Sequence, residues 1–217
     1  MTCHHPIKVW QQTIANLDIP PKDYYNLKKV RFTETPNRKM IEIPCGRCKG
    51  CRLDHANMWA TRIYMEATEW KKCCFVTLTY NQTNVPTTEE GYMTLKKKHL
   101  QDFMKRLRWH EKGNESWEKI NPKSGEIEEE YPIRFFASGE YGPKGGRPHY
   151  HLAIFNWEPN DLKEYKPNKH GDMIYKSKTL QKIWGKGFVT IEELNYKTAC
   201  YIARYVTKKA GIEPRLS

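Results

Sequence analysis

The chain has 217 residues, of which 38% are hydrophobic and 29% charged, as in a soluble globular protein with one full domain and room for a small appendage. Its formal net charge of +12 favours a polyanionic partner, with nucleic acid ahead of an acidic membrane surface. No segment approaches the roughly 20 apolar residues that span a bilayer, and polar residues interrupt the N-terminal segment, so we expect neither a membrane protein nor a secreted one.

The first half of the chain begins irregularly. Prolines interrupt any helix up to residue 51, and a short strand near Met40–Ile43 leads into a cysteine cluster. Apolar residues at helical spacing predict a first helix from Arg52 to about Trp70. Branched and aromatic residues predict a strand over Phe75–Tyr80. After a polar loop, Leu95–His110 is predicted to be a helix with one apolar and one basic face.

The second half alternates strands with shorter helices. Residues 112–131 are polar and acidic and predict an exposed insertion, and a Lys-rich stretch lies further along the chain. The predicted elements are, in chain order, a strand over Ile133–Glu140, a strand beginning at His149, a short helix over Thr179–Trp184, a strand over Phe188–Ile191 and a helix from Lys197 to about Lys209. The first two strands are joined by a Gly-rich turn and predict a hairpin. Together these elements indicate an α+β fold with an antiparallel sheet.

Two histidines stand one residue apart at the start of an apolar run. Residues i and i+2 of a strand point to one face, so His149 and His151 should project side by side. Glu140 ends the preceding strand, and a hairpin would bring its carboxylate near the imidazoles. Such a set suits Mg²⁺ or Mn²⁺ used as a Lewis acid, although imidazole also suits Zn²⁺. The competing interpretation is a pair of ordinary surface or hydrogen-bonded histidines.

Two tyrosines share one face of the last predicted helix. Tyr201 and Tyr205 are spaced i, i+4, and Arg204 and Lys208 each follow one of them by one turn. A phenol with the usual pKa near 10 is a poor nucleophile at neutral pH unless a cation or metal favours its phenolate. Taken alone, the pair is better interpreted as core aromatics. Beside a metal, it indicates phosphodiester cleavage with tyrosine as the nucleophile.

Several stretches of the chain combine into a specific set. They are Cys3, Pro44–Arg52, Phe75–Thr79, Ser138–Gly142, Arg147–His151 and Tyr201–Lys208. The set resembles the ordered motifs of the HUH endonucleases that initiate rolling-circle replication. Within that superfamily it is most similar to the replication initiators of gokushovirus-like (Microviridae) single-stranded DNA phages. Such initiators are often longer at the C-terminus, so we expect a truncated or a naturally short member.

The resemblance implies a fold and a division of roles. It implies a central antiparallel sheet of about five strands, with the histidine strand inside it and the tyrosine helix over it. It assigns His149, His151 and Glu140 to a divalent metal, Mg²⁺ or Mn²⁺, and Tyr201 and Tyr205 to attack on DNA. One tyrosine would form a 5′-phosphotyrosine link and leave a free 3′-hydroxyl, and the other would act in the next transfer, so that the circle is released without hydrolysis.

The resemblance also implies accessory residues and partners. Lys208 matches a lysine that would orient or activate a phenol. Lys144, Arg147 and Arg204 are candidates for DNA contact, against the alternative of solvated side chains. The implied partners are single-stranded DNA at the replication origin and the host replication machinery, and no membrane. The chain has no Walker motif, so a helicase would come from the host. The implied location is the cytoplasm of the bacterial host.

A cysteine cluster near the N-terminus predicts a second metal site. Cys45, Cys48 and Cys51, with the distant Cys3, supply four thiolates, enough for a closed tetrahedral Zn²⁺ site. The alternatives are free thiols, an iron–sulfur cluster, or replacement of one thiolate by a histidine. The candidate histidines are His4, His5 and His55. A metal would hold down a segment that has little apolar content of its own.

The sequence therefore predicts two domains, a Cys-rich segment over residues 1–51 and an HUH nickase domain over residues 52–217. Two other functions stay open. A non-catalytic single-stranded nucleic-acid-binding protein needs neither histidines nor tyrosines. A metal-dependent nuclease that uses water would cut without any covalent adduct to protein.

Overall fold

The chain divides into two compact units, one formed by Met1–His55 with Ala210–Ser217 and the other by Ala56–Lys209. The computed structural model describes residues 3–12, 38–111, 118–120, 127–129, 133–142 and 145–209. No helix in this described part of the chain combines the length and apolar character that crossing a bilayer requires.

The first unit contains a two-stranded antiparallel hairpin followed by the cysteine cluster. Strand β1 (Ile7–Gln12) pairs with β2 (Arg38–Ile43), with Ile7 opposite Ile43. The prediction of an irregular segment missed β1. Only Ile7 and Val9 alternate as aliphatic residues there, which is too short a pattern to distinguish a strand from irregular chain. Val9 is fully buried and provides the apolar contact of the hairpin.

The second unit is built on a six-stranded antiparallel sheet. Its strands are β3 (Cys73–Tyr80), β6 (Arg134–Tyr141), β7 (Pro148–Phe155), β8 (Lys163–Pro167), β9 (Met173–Lys176) and β10 (Gly187–Glu193). They lie in the order β6-β7-β3-β10-β9-β8, and β4 (Glu118–Ile120) pairs separately with β5 (Ile127–Glu129). The predicted α+β antiparallel fold is confirmed. The sheet exceeds the expected five strands because the Lys-rich stretch forms the edge hairpin β8–β9.

Four helices accompany the strands. They are α1 (Lys49–Thr68), α2 (Lys97–Glu111), α3 (Lys178–Trp184) and α4 (Tyr196–Lys209). Each lies within a few residues of a predicted helix. Helix α3 begins at Ser177, whose hydroxyl accepts a hydrogen bond from the Leu180 N–H and also contacts the Asp161 carboxylate. It ends at Gly185, whose positive φ of 63° suits glycine.

The two faces of the sheet bury different sets of residues. On one face, alternate residues of β3 such as Val76 and Leu78 pack with α2 and α3. On the other face, Phe75 of β3 packs with α4 through Ile202. Because both faces are covered, β7 is buried at all but one position, which explains its nearly continuous apolar sequence. The candidate catalytic residues lie on the face that carries α4.

Candidate active site

Strand pairing places the candidate residues in two rows across the face that carries α4. One row consists of Glu140, His149, Thr79 and Phe188, and the next consists of Ser138, His151, Thr77 and Thr190. Directly opposed residues of antiparallel strands have Cβ atoms about 4.5–5.5 Å apart. The register therefore brings Glu140 beside His149 and a threonine beside each imidazole. The two imidazole rings stack on this face with centroids 6.4 Å apart.

Each imidazole is oriented by a threonine on β3. Nδ1 of His151 lies 3.0 Å from the Thr77 hydroxyl, and Nδ1 of His149 lies 3.0 Å from the Thr79 hydroxyl. This leaves both Nε2 atoms facing the site. Sequence reasoning gave the β3 segment a structural role only and missed both threonines. The signal was present, because polar residues at i and i+2 in an apolar strand mirror the His-x-His spacing on β7.

A threonine hydroxyl can support either tautomer of its imidazole, since it both donates and accepts. In the absence of a cation, the Thr77 hydroxyl can donate to Nδ1 while Nε2–H of His151 donates to Glu140 Oε2, 2.9 Å away. With a cation on Nε2, Nδ1–H would donate to the hydroxyl instead. Burial lowers the pKa of His151, against the opposing effect of Glu140. Burial also lowers the pKa of His149, so both rings favour the neutral, metal-binding form.

The two tyrosines of α4 pack directly on His151. The Tyr201 ring meets the imidazole edge-on with centroids 5.1 Å apart, and the Tyr205 ring stacks on it at 5.5 Å. The two phenol rings are 5.0 Å apart, and the Tyr201 hydroxyl donates to Glu140 Oε2 at 3.5 Å. Small residues permit this close approach, because Ala199 and Ala203 on the sheet side of α4 are fully buried. The helix therefore places both hydroxyl-bearing rings over the histidine row.

The phenols are protonated at neutral pH. Burial raises the pKa of Tyr201 above its usual value, and burial together with hydrogen bonding to Tyr201 and Glu140 raises the pKa of Tyr205 further. Tyr201 is 41% exposed, and Tyr205 is partly buried. Either hydroxyl therefore needs a nearby positive charge or a proton acceptor to become a nucleophile.

His149, His151 and Glu140 have the donor chemistry for a divalent cation. They do not yet enclose one, because the Glu140 carboxylate is hydrogen-bonded to His151 and the imidazoles are stacked apart. Turning that carboxylate toward His149, its partner across the strands, would close the set. A Cβ at Gly142 would lie 3.0 Å from His149 Nε2, so glycine keeps the approach to this nitrogen open.

The candidate DNA contacts have different surroundings. Arg147 donates to the Tyr80 carbonyl at 3.0 Å and to Gln82 Oε1 at 2.6 Å, so its guanidinium ties the hairpin turn to the end of β3. Arg204 lies exposed on α4. Lys144 and the side chain of Lys208 lie outside the described residues.

The four cysteines of the first unit form a candidate metal centre. Among the described residues, theirs is the group whose ligand atoms all lie within 4.8 Å of one another. The Cys45–Cys51 and Cys3–Cys48 sulfur pairs are both 3.9 Å apart, and tetrahedral Zn²⁺ with bonds of about 2.3 Å requires roughly 3.8 Å. No histidine is needed to complete the set.

Backbone donors prepare the cysteine cluster for a cation. The N–H groups of Cys51 and His4 donate to the Cys48 sulfur and lower the pKa of that thiol to about 5. The pKa of Cys45 is lowered in the same way, chiefly by the N–H of Cys48. Burial raises the pKa of Cys51 to about 12, so a metal ion would have to displace its proton. The cluster can hold a metal ion.

Residues 73–210 match the family described as "Replication-associated protein ORF2", and this segment contains the histidine rows and both tyrosines. The chain belongs to this family. Its sequence is 34% identical to the replication-associated protein ORF2 of Spiroplasma virus 4 over 98% of the chain. It is 30% identical to the replication-associated protein VP4 of Bdellovibrio phage phiMH2K over 96% of the chain. It is 27% identical to the replication-associated protein ORF4 of Chlamydia phage 1 over 93% of the chain.

The family relation confirms the predicted resemblance to phage replication proteins. The three alignments cover 62%, 58% and 49% of the relatives, so the chain spans about half to three fifths of their length. No solved structure matches the chain.

Proposed function

We propose that the chain is the nuclease region of a rolling-circle replication initiator, which cuts single-stranded DNA at an origin by tyrosine attack. The observation that carries the proposal is the packing of two phenols on one imidazole of a histidine pair. Core packing alone would not require Tyr201 to be 41% exposed or its hydroxyl to point at Glu140. The family relation supports a role in replication.

His149, His151 and Glu140 are the residues that would hold a divalent cation, Mg²⁺ or Mn²⁺. Such a cation would neutralise charge on the scissile phosphate and polarise its phosphorus–oxygen bonds. Thr77 and Thr79 would fix the two rings with Nε2 toward it. This arrangement suits an oxygen-binding cation with open positions.

The covalent step uses the phenols. The Tyr201 oxygen attacks phosphorus, its proton passes toward the Glu140 carboxylate, and the bond from phosphorus to the 3′-oxygen breaks. The products are a 5′-phosphotyrosine and a 3′-hydroxyl, which acquires a proton. Because the ester conserves the bond energy, the reverse attack can join ends, and the Tyr205 ring 5.0 Å away supplies the nucleophile for the next transfer. Lys208 would help to orient a phenol.

The four-cysteine cluster would hold structural Zn²⁺. Four thiolates fill every position of a tetrahedral ion, so no position remains for substrate. The ion would link Cys3 to the turn at Cys45–Cys51 and so fix the β1–β2 hairpin.

The setting follows from the same proposal. The partner is single-stranded origin DNA, which a chain of net charge +12 attracts. The released 3′ end would prime the host polymerase, and strand separation would need a helicase from the host. The reaction would take place in the cytoplasm of the bacterial host.

The test is a search for the covalent intermediate. Labelled single-stranded oligonucleotides that tile the replicon are incubated with the protein and Mn²⁺ and resolved on a denaturing gel. We expect one tile to give a protein–DNA adduct that the double change Tyr201→Phe, Tyr205→Phe abolishes. The matched control is Tyr196→Phe on the same helix, which should leave the adduct unchanged.

The two rival functions give other results. Cleavage that forms no adduct and survives the double change would identify a metal-dependent nuclease that uses water. Binding without cleavage under any divalent metal would identify a non-catalytic binding protein.

A further inference from the structure

Phe188 is a large aromatic side chain exposed on the catalytic face of the sheet. It lies on β10, which has strands on both sides, yet its side chain is 61% exposed. Its neighbours on the same strand, Val189 and Ile191, point to the opposite face and are buried. An exposed phenylalanine on an inner strand gains nothing from the core and leaves apolar surface in water.

The register places Phe188 in line with the candidate metal ligands. Phe188 pairs with Thr79, Thr79 pairs with His149, and His149 pairs with Glu140. Adjacent strands are about 4.8 Å apart, so the aromatic ring stands roughly 10 Å from the His149 position along this row. A nucleotide next to the bond being cut would lie within reach of the ring.

A basic groove begins immediately before Phe188. Gly187 and Asn81 lie at one end of a groove of about 670 Å³ that extends to the β8–β9 edge hairpin and α3. The charged residues that line it are Lys163, Glu164, Lys176, Lys178 and Lys182. Four lysines against one glutamate suit a chain of phosphates. The groove has no aromatic lining, so base stacking would occur outside it, at Phe188.

We propose that Phe188 stacks on a base of the bound single strand beside the scissile phosphate, while flanking phosphates lie in the lysine groove. The proposal rests on the proposed function and specifies how its substrate is held. Every base has an aromatic face, so Phe188 would position the strand over the histidine row without reading a particular base. Phe188 is thus a positioning residue for strand cleavage.

Base stacking is tested with two DNA probes that differ only in their bases. The Tyr201→Phe, Tyr205→Phe protein binds an oligothymidylate or an abasic strand of equal length, and fluorescence anisotropy gives both affinities. We expect Phe188→Ala to weaken binding of the oligothymidylate roughly tenfold and to leave the abasic strand unaffected. Phe188→Trp should restore the difference between the probes. Trp109→Ala, which removes a 78% exposed aromatic from α2, is the matched control.

The groove is tested by its salt dependence. Replacing Lys163, Lys178 and Lys182 by alanine should weaken binding of both strands equally. The slope of log affinity against log salt should fall by about 0.7 for each phosphate that the variant no longer neutralises. The matched control removes the same charge elsewhere, at the exposed residues Lys71, Lys97 and Lys105.

The outcomes separate this inference from the proposed nickase. Equal affinities of Phe188→Ala and its parent for the oligothymidylate, or an equal loss for both strands, would overturn stacking even if wild-type protein forms the covalent adduct. A groove variant that behaves like its lysine control would overturn the phosphate path. Loss confined to the strand with bases supports stacking even if no adduct is found. Thermal unfolding confirms that each variant is folded.

Discussion

The choice of threonine beside each imidazole has a chemical consequence at the scale of single residues. A carbonyl or carboxylate would hold Nδ1 permanently as a donor, whereas the hydroxyls of Thr77 and Thr79 accept or donate. The imidazoles can therefore be hydrogen-bonded before and after a cation arrives. The hydroxyls should raise metal affinity by fixing the rings rather than by contacting the cation.

Removing the two hydroxyls tests this role. We expect Thr77→Val with Thr79→Val to weaken Mn²⁺ binding about 10–100-fold, because each ring loses the partner that fixes its orientation. Calorimetric titration with Mn²⁺ measures the change. Thr190→Val, on the same face but one strand further from the imidazoles, is the control. Unchanged affinity in the double variant would show that the threonines only fill space.

The buried imidazoles also predict how stability depends on pH in the metal-free protein. Burial holds the pKa of His149 and His151 below the usual 6.5, so between those values the unfolded chain binds more protons than the folded one. The free energy of unfolding should therefore fall as the pH is lowered through 6.5. Urea unfolding at a series of pH values measures it, and His149→Gln with His151→Gln should reduce the dependence. Imidazole resonances that titrate above 6.5 would contradict the prediction.

At the scale of elements, the rows of the site depend on the close pairing of β10 with β3. Gly187 begins β10 at a φ of 151°, and a Cβ there would collide with the backbone of Thr79 and Asn81 and lie 2.8 Å from the Tyr80 carbonyl carbon. Backbone atoms cannot turn aside as a side chain can. The glycine therefore permits the approach that puts Phe188 beside Thr79.

Gly187→Ala should separate the strands at this end of the sheet. We expect it to lower the free energy of unfolding by about 1–3 kcal/mol more than Gly171→Ala does. Gly171 also has a positive φ, of 88°, but open space around it, so the comparison isolates the collision from the backbone strain. Chemical denaturation measures both variants. Equal losses would mean that β10 can shift without cost.

The elements that the sequence predicted are those with strong periodicity or a recognisable motif. The strands that carry Phe75 and His149 and the helix of Tyr201 were predicted because buried strands and amphipathic helices have clear patterns. The hairpin β8–β9 was missed because β8 is exposed at every position and so lacks apolar alternation. The pairing of each threonine with a histidine could not be predicted, since it depends on register between strands about 70 residues apart.

At the scale of the whole molecule, the two units depend on different interactions. The unit Ala56–Lys209 has buried clusters on both faces of its sheet. The buried hydrophobic residues described in the other unit include Val9 and Cys51. A metal at the cysteines would therefore contribute far more to the stability of the smaller unit than to the larger one.

Metal removal should accordingly act on one unit. We expect purified protein to contain zinc, and chelation or Cys48→Ser to remove amide protection from β2 while β3 and β7 keep theirs. Hydrogen exchange read by mass spectrometry distinguishes the two segments. Cys200→Ser, on α4, is the control and should retain the zinc. Unchanged protection of β2 after complete loss of the metal would refute a structural role.

The position of β6 at the edge of the sheet affects how the site would be assembled. Glu140 lies on this strand, which has a neighbour on one side only, whereas both histidines lie on β7, held from both sides. Displacing the carboxylate breaks fewer interstrand bonds than displacing an imidazole. The acidic ligand can thus swing aside and return while the nitrogen ligands stay fixed, which gives an incoming ion a hinged door rather than a closed cage.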